Sequence, residues 1–143
     1  MVPTALDTHD FRITIGAGPG SNCMQPYSAS VLNISAMSFG ALSASAILAL
    51  NGGARQGRFA HDTGEGSISQ HHREQGGDLI WTIGQSYLRC RHADGTFDAE
   101  KYVENANQPQ VRMSSSSSAR APIPAVLSND VRACSRAPHS NEK

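Results

Sequence analysis

"ISAMSFGALSASAILAL", Ile34 to Leu50, starts as a strand, ends as a helix, and joins the two through small residues around Phe39. The near-continuous apolar run over Ser30–Ser38 predicts a strand buried on both faces. Ser43 is a good N-cap, and the helix it starts extends to about Arg55, with Gly52, Gly53 and Gly57 near its end. "RFAHD", Arg58–Asp62, predicts the next short strand. Strand, helix and strand within about 30 residues make the βα unit of a parallel sheet. Ligands of such folds gather where strands end and helices begin. The junction Ser35-Ala36-Met37-Ser38 suits that place. Its small side chains let a flat ligand approach the backbone, its amides can donate to a ring edge, and Met37 adds a polarisable surface. The same spacing also describes an ordinary βα turn, since neither GxGxxG nor a P-loop is present.

Outward from this unit, "FRITI", Phe11–Ile15, alternates as a short strand does, and Gly16–Pro26 is loop by its Gly and Pro content. "GAGPG" precedes no helix and is not read as a phosphate loop. Gly64–Gly77 is polar and irregular. Asp78–Ile83 and Tyr87–Arg91 predict short strands, Asp94-Gly95 a turn, and Asp98–Asn105 a helix capped by Asp98. All aromatic residues lie between Phe11 and Tyr102. From Ser114 the chain turns to a serine run, Ser114–Ser118, then Pro122, Pro124 and Pro138 among Arg and Ser. Such a stretch buries too little apolar surface to offset its ordering entropy, so 1–113 is expected to be ordered and 114–143 disordered.

One ordered domain is the natural count for 143 residues. Lys plus Arg and Asp plus Glu both number 12, so the net charge is zero with His neutral. Neither nucleic acid nor a membrane is therefore an expected partner. The most apolar stretch, Ala41–Leu50, is interrupted by Ser43 and Ser45 and is too short to span a bilayer. No signal peptide is read at the start. Cys23, Cys90 and Cys134 are odd in number and lack a CxxC pair, which suits reduced thiols of a cytoplasmic protein.

"HDTGEG", His61–Gly66, carries the second candidate site. Its glycines permit close backbone approach, Thr63 offers a hydroxyl, and Glu65 can orient or protonate an amino or imino group. A solvated glycine turn has the same composition. His61, Asp62, His71 and His72 are not framed by an HxxxH or HExxH helix, so no metal site is assigned and the adjacent histidines are expected to face solvent. Cys90 sits in an apolar run and reads as a core thiol, with Arg89 and Arg91 on one solvated face. No G-x-S-x-G elbow supports a serine nucleophile.

"HDFRITIG", "CMQPYSASVLNISAMSFGALSASAILALNGGARQGRFAHDTGEG" and "GGDLIWTIGQSYLRCRHADGTFDAEKY" together resemble the FMN-binding synthase domain of the glutamate synthase-like family, nearly continuously from about position 9 to 113. The resemblance implies an α/β fold of the (β/α)8 TIM barrel type carrying FMN. It implies reduction of 2-iminoglutarate, formed from 2-oxoglutarate and ammonia or glutamine-derived ammonia, to glutamate. It places Ala36, Met37, Ser38, Phe39 and Gly40 beside the flavin ring, and Thr63, Gly64, Glu65 and Gly66 close to flavin and substrate, with Glu65 in the catalytic role. A related FMN barrel with another substrate is the neighbouring alternative.

Two departures matter. The family continues the second loop as Gly-Glu-Gly-Gly, whereas Ser67 follows Gly66 here; a left-handed backbone at that position would strain Ser67. The family also runs from "PQV" into a strand ending in lysine and a loop of the type KLSQGAKPG, where this chain has "PQVRMSSSSSARAPIPAV". A reading-frame slip would produce such a run, and sequencing the gene tests it. The expectation is thus a partial barrel, its first βα units only. Later strands, phosphate loops and the iron–sulfur cysteine cluster of full-length members are not found in it. An isolated chain of this kind is expected to be poorly soluble and inactive, to bind FMN loosely, and to associate, if at all, with other barrel segments as a non-catalytic remnant.

Overall fold

The protein is described here from a computed structural model, in which residues 11–21, 23 and 26–116 are described. It is a mixed α/β fold with eight elements in these residues: β1 (Arg12–Ile15), β2 (Tyr27–Ser30), α1 (Ala44–Gly57), β3 (His61–Asp62), α2 (Gln70–Glu74), β4 (Leu79–Ile83), α3 (Ala99–Ala106) and β5 (Val111–Ser116). β1 and β2 pair antiparallel, Ile15 opposite Tyr27 and Arg12 opposite Ser30. β3, β4 and β5 form a parallel sheet in chain order. Ile34 extends that sheet by one bridge, parallel to His61, so each neighbouring pair of strands is joined through a helix. This is the βα pattern expected of the sequence.

The helices start where local chemistry starts them. The Ser43 hydroxyl accepts from the Ala46 amide to cap α1, and Asp98 does the same for α3 through Lys101. One face of the sheet packs on the helices: Leu79, Trp81, Ile83 and Val111 meet Ile68, Cys90, Tyr102 and Ala106. Trp81 is fully buried and stacks on Tyr102 at 5.5 Å. Cys90 is a core thiol as expected, and burial pushes it up to about 11. On the other face, Ile15, Tyr27 and Ala29 of the hairpin cover Ile80 and Met113.

Four expectations are corrected. The strand over Ser30–Ser38 is divided: β2 ends at Ser30, Val31 and Leu32 are exposed, and only Ile34 bridges the parallel sheet. Side chains turn the chain there, because Ser30 Oγ accepts from the Leu32 amide, Asn33 Nδ2 donates to the Ser30 carbonyl, and Asn33 Oδ1 accepts from the Ala60 amide. The irregular stretch Gly64–Gly77 contains α2, whose capping box pairs Ser69 with His72 rather than with the usual Glu or Gln. Tyr87–Arg91 forms turns, with Tyr87 and Arg89 at φ of 46° and 70°, though Arg89 and Arg91 are exposed. Finally, β5 carries through Ser114–Ser116, past the boundary placed at Met113; Ser114 is buried and its hydroxyl lies 2.9 Å from that of Tyr102. The remainder of the expected tail, 117–143, lies outside the described residues. Among the described residues no helix is long and apolar enough to cross a membrane.

Candidate functional site

The two loops singled out in the sequence, Ser35–Gly40 and Thr63–Gly66, follow neighbouring strand segments and touch. Residues 34–37 run alongside 60–62: Ile34 donates to the Ala60 carbonyl at 2.9 Å, Asp62 to the Ile34 carbonyl at 3.0 Å, and Met37 to the Asp62 carbonyl at 3.0 Å. Beyond them the Gly66 amide donates to Ser38 Oγ at 3.2 Å. A Cβ on Gly64 would lie 2.4 Å from Ser38 Oγ, and one on Gly66 would lie 3.1 Å from Ser38 Cβ. Both glycines are therefore needed for the first loop to sit on the second. This is a different reason for the glycines from ligand approach.

The pair is tied from behind by α2. His72 is fully buried; its Nε2 meets the Met37 carbonyl at 3.0 Å, while its Nδ1 accepts from the Ser69 amide at 3.2 Å. The amide can only donate, so the tautomer with hydrogen on Nε2 satisfies both contacts. Phe39 contacts the ring of His71 edge-on at 4.8 Å. The expectation that the adjacent histidines face solvent fails for His72; His61 is fully buried as well. Their rings are 5.1 Å apart. Burial pushes the His72 imidazole down and, with the neighbouring His72, pushes His61 to about 4. Among the described residues no group of three or more His, Cys, Asp or Glu could hold a metal ion.

Of the candidate residues, Ala36, Phe39, Gly40, Glu65 and Gly66 are exposed at the rim of the pair. Nothing lies within 4 Å of the position a Cβ would take on Gly40, which sits at a φ of 108°. Met37 and Ser38 are half-buried and Gly64 is buried. Thr63 is brought to the end of β3 but buried, its hydroxyl accepting from the Thr82 amide at 3.2 Å and 3.3 Å from the Gly64 carbonyl oxygen, to which it donates. Glu65 is carried over Gly84 at the end of β4, where an added Cβ would come within 3.1 Å of Glu65 Cβ. The sequence reading missed Asp62, which joins three strands and a loop. Its Oδ1 accepts from Thr82 Oγ1 at 2.7 Å and from the Gly64 amide at 2.9 Å, and Thr82 Oγ1 lies 2.8 Å from Ser115 Oγ. The signal was present in "HDTGEG", as a carboxylate two residues before a glycine, which is the spacing of an Asx turn.

Ser67, the departure noted above, does adopt the left-handed conformation, with φ of 65°. It is buried, and Trp81 Nε1 donates to its hydroxyl at 2.9 Å. The strain is offset by a partner for a buried indole. Ser67→Ala keeps the strain and orphans the indole N–H, so it is expected to lose about 1 to 2 kcal/mol. Urea unfolding followed by the fluorescence of Trp81, the one tryptophan, reads this directly, and an unchanged midpoint would contradict it.

A family model described as "Conserved region in glutamate synthase" matches residues 21–122. The chain belongs to the glutamate synthase family. Glutamate synthase large subunit-like protein YerD of Bacillus subtilis (strain 168) is 33% identical over 92 residues, which are 63% of this chain and 18% of YerD. The chain thus spans under a fifth of that relative, and no solved structure matches it.

Proposed function

We propose that this chain forms the opening strands of a (β/α)8 barrel of the glutamate synthase type, which holds FMN and reduces 2-iminoglutarate to glutamate. The observation that carries this reading is the contact of the two loops at the carboxyl ends of parallel strands arranged in chain order. That is where α/β folds gather ligands. The hairpin supports a barrel completed by further strands. Alternate residues share a face of a strand, so Phe11, Ile13 and Ile15 lie on one side with Tyr27 and Ala29. The Ile15, Tyr27 and Ala29 end is covered, whereas Phe11, Ile13 and Val31 are 68%, 53% and 58% exposed. A closing sheet would cover the rest.

The residues fit the edge of a flat ring system. Ala36 and Gly40 leave the exposed backbone of the first loop open, and Phe39 stands 44% exposed beside it. Ala36, Phe39 and Gly40 would hold the ring from one side and Gly64 to Gly66 from the other. Met37, Ser38 and Thr63 fix both loops beneath. FMN, when bound, supplies the reducing electrons. Glu65 hydrogen-bonds the substrate's amino or imino nitrogen and, when protonated, hands it a proton. Gly84, lacking a side chain, leaves room for the stem of Glu65.

Titrating the ¹⁵N-labelled full chain with FMN tests the reading. Amide shifts are expected at Ala36–Gly40 and Gly64–Gly66, with binding too weak to leave flavin absorbance near about 450 nm after gel filtration. Shifts confined to other residues, or none, would remove the flavin assignment. A stoichiometric yellow protein would instead show that no further strands are needed. A second reading, a non-catalytic segment that docks on other barrel segments, draws on the same exposed Phe11, Ile13 and Val31. It prevails if the chain co-elutes with such segments while FMN moves no loop amide.

A further inference from the structure

α2 lies behind the first loop, and its two neighbouring histidines each hold a different residue of that loop. His72 takes the backbone, its Nε2 meeting the Met37 carbonyl at 3.0 Å. His71 takes a side chain two residues further on, where its ring meets that of Phe39 at 4.8 Å with an interplanar angle of 62°. Side chains next to each other on a helix diverge, because one turn takes about 3.6 residues, so one short helix reaches both points.

The backbone of Phe39 is already fixed. The Leu42 amide donates to the Ser38 carbonyl at 3.0 Å and the Gly40 amide to the Leu42 carbonyl at 3.2 Å, closing a tight turn around Phe39. The Phe39 carbonyl lies against the second loop, 3.3 Å from the position a Cβ would take on Gly66. What these contacts leave open is the direction of the half-exposed ring. A phenyl ring restrained only through its backbone samples several rotamers. The contact with His71 removes that freedom, since aromatic rings favour edge-to-face geometry with centroids about 4.5 to 7 Å apart. His71 is itself restrained: it is half-buried, and Glu74, one turn on in α2, brings Oε1 to 3.2 Å from its Nδ1. Glu74, His71 and Phe39 thus make a chain of contacts from the surface of α2 to the rim of the loop.

We propose that His71 is a positioning residue of the loop pair: resting on the flavin reading of the two loops, it holds the Phe39 ring in the orientation in which that ring packs on the flat ring system. His71 acts through Phe39 rather than on the ligand, by removing rotamer freedom that Phe39 would otherwise lose on binding. The signature is a loss of affinity for flavin rings without loss of the fold, and a dependence on an aromatic ring at position 71 rather than on its charge.

Titration of the ¹⁵N-labelled full chain with FMN and with riboflavin, read at the Gly40 and Gly66 amides, provides the test. His71→Leu and His71→Gln, which keep bulk but no ring, should each weaken both ligands about fivefold. His71→Phe, which keeps the ring, should stay within about twofold of wild type. Phe39→Leu should weaken both ligands by about fivefold or more. Adding either ring-less change at 71 to Phe39→Leu should cost nothing further, because the two residues act as a unit. Urea midpoints measured alongside separate lost binding from lost folding, and the Gln variant serves if the Leu variant is less stable. Ring-less variants that bind as wild type does, losses that add in the double variant, or a loss for FMN with none for riboflavin would each overturn the role of His71 and leave the flavin reading standing. A wild-type chain whose loop amides move with neither ligand would remove the flavin reading and the role of His71 with it, so the two failures are told apart.

Discussion

Gly64→Ala is expected to destabilise the fold by about 3 kcal/mol and to push Ser35–Gly40 away from Thr63–Gly66. Gly64 has a φ of 64°, where a side chain costs about 1 to 2 kcal/mol. The added methyl would lie 2.4 Å from Ser38 Oγ, 3.1 Å from the Ser38 amide nitrogen and 3.4 Å from that of Met37. Two of those atoms are backbone and cannot rotate away, so overpacking adds about 1 to 3 kcal/mol. Denaturant unfolding measures the loss, and the Gly66 amide shift reports whether its bond to Ser38 Oγ survives. Adding Ser38→Ala to the variant should recover part of the stability by removing Oγ, but not all, because the strain and the backbone contacts remain. A loss below about 1 kcal/mol would mean that the loops are not pinned together at this glycine.

The second large effect is acid sensitivity. The folded His61 is held down to about 4, below its ordinary 6.5, by burial and by His72 beside it. Because the unfolded chain takes up the proton first, stability is full above about pH 6.5, falls as pH drops, and levels off below about 4. A displacement of this size corresponds to about 3 kcal/mol. His72 is pushed in the same direction and adds to the loss. His61→Phe should flatten much of this dependence at little cost near neutral pH, since neither ring nitrogen of His61 has a hydrogen-bond partner among the described residues. Urea midpoints of wild type and His61→Phe at pH 7 and pH 4.5 decide the matter. Equal losses in both proteins would show that His61 does not carry the effect.

Much of the local structure was legible because the signals are short-range. Ser43 and Asp98 cap the helices they were expected to cap, and Asp94-Gly95 turns as its type demands, with Gly95 at φ of 89°. The parallel pairing followed from the order strand, helix, strand. What misled was chemistry that depends on partners distant in sequence. A histidine closing the capping box of α2 looks polar until it is seen to reach the Met37 carbonyl 35 residues away. The apolar run from Ser30 to Ser38 looks like one strand until Asn33 is seen holding the Ala60 amide. Serines at 114–116 look like the start of a low-complexity tail, yet Ser114 is opposite Tyr102 and Ser115 opposite Thr82.

The site divides in the same way. Residue types alone determined that Ala36–Gly40 and Thr63–Gly66 end strand-like segments with small, turn-forming residues, because conformational freedom and capping belong to each residue and its near neighbours. Only the tertiary structure decided why Gly64 and Gly66 are glycines, that Thr63 is buried while Glu65 is at the rim, and that Asp62 links the strands. It alone brought the ring of His71 against that of Phe39, far apart along the chain. Packing and charge act through space, and the distances that set them exist only once the chain has folded.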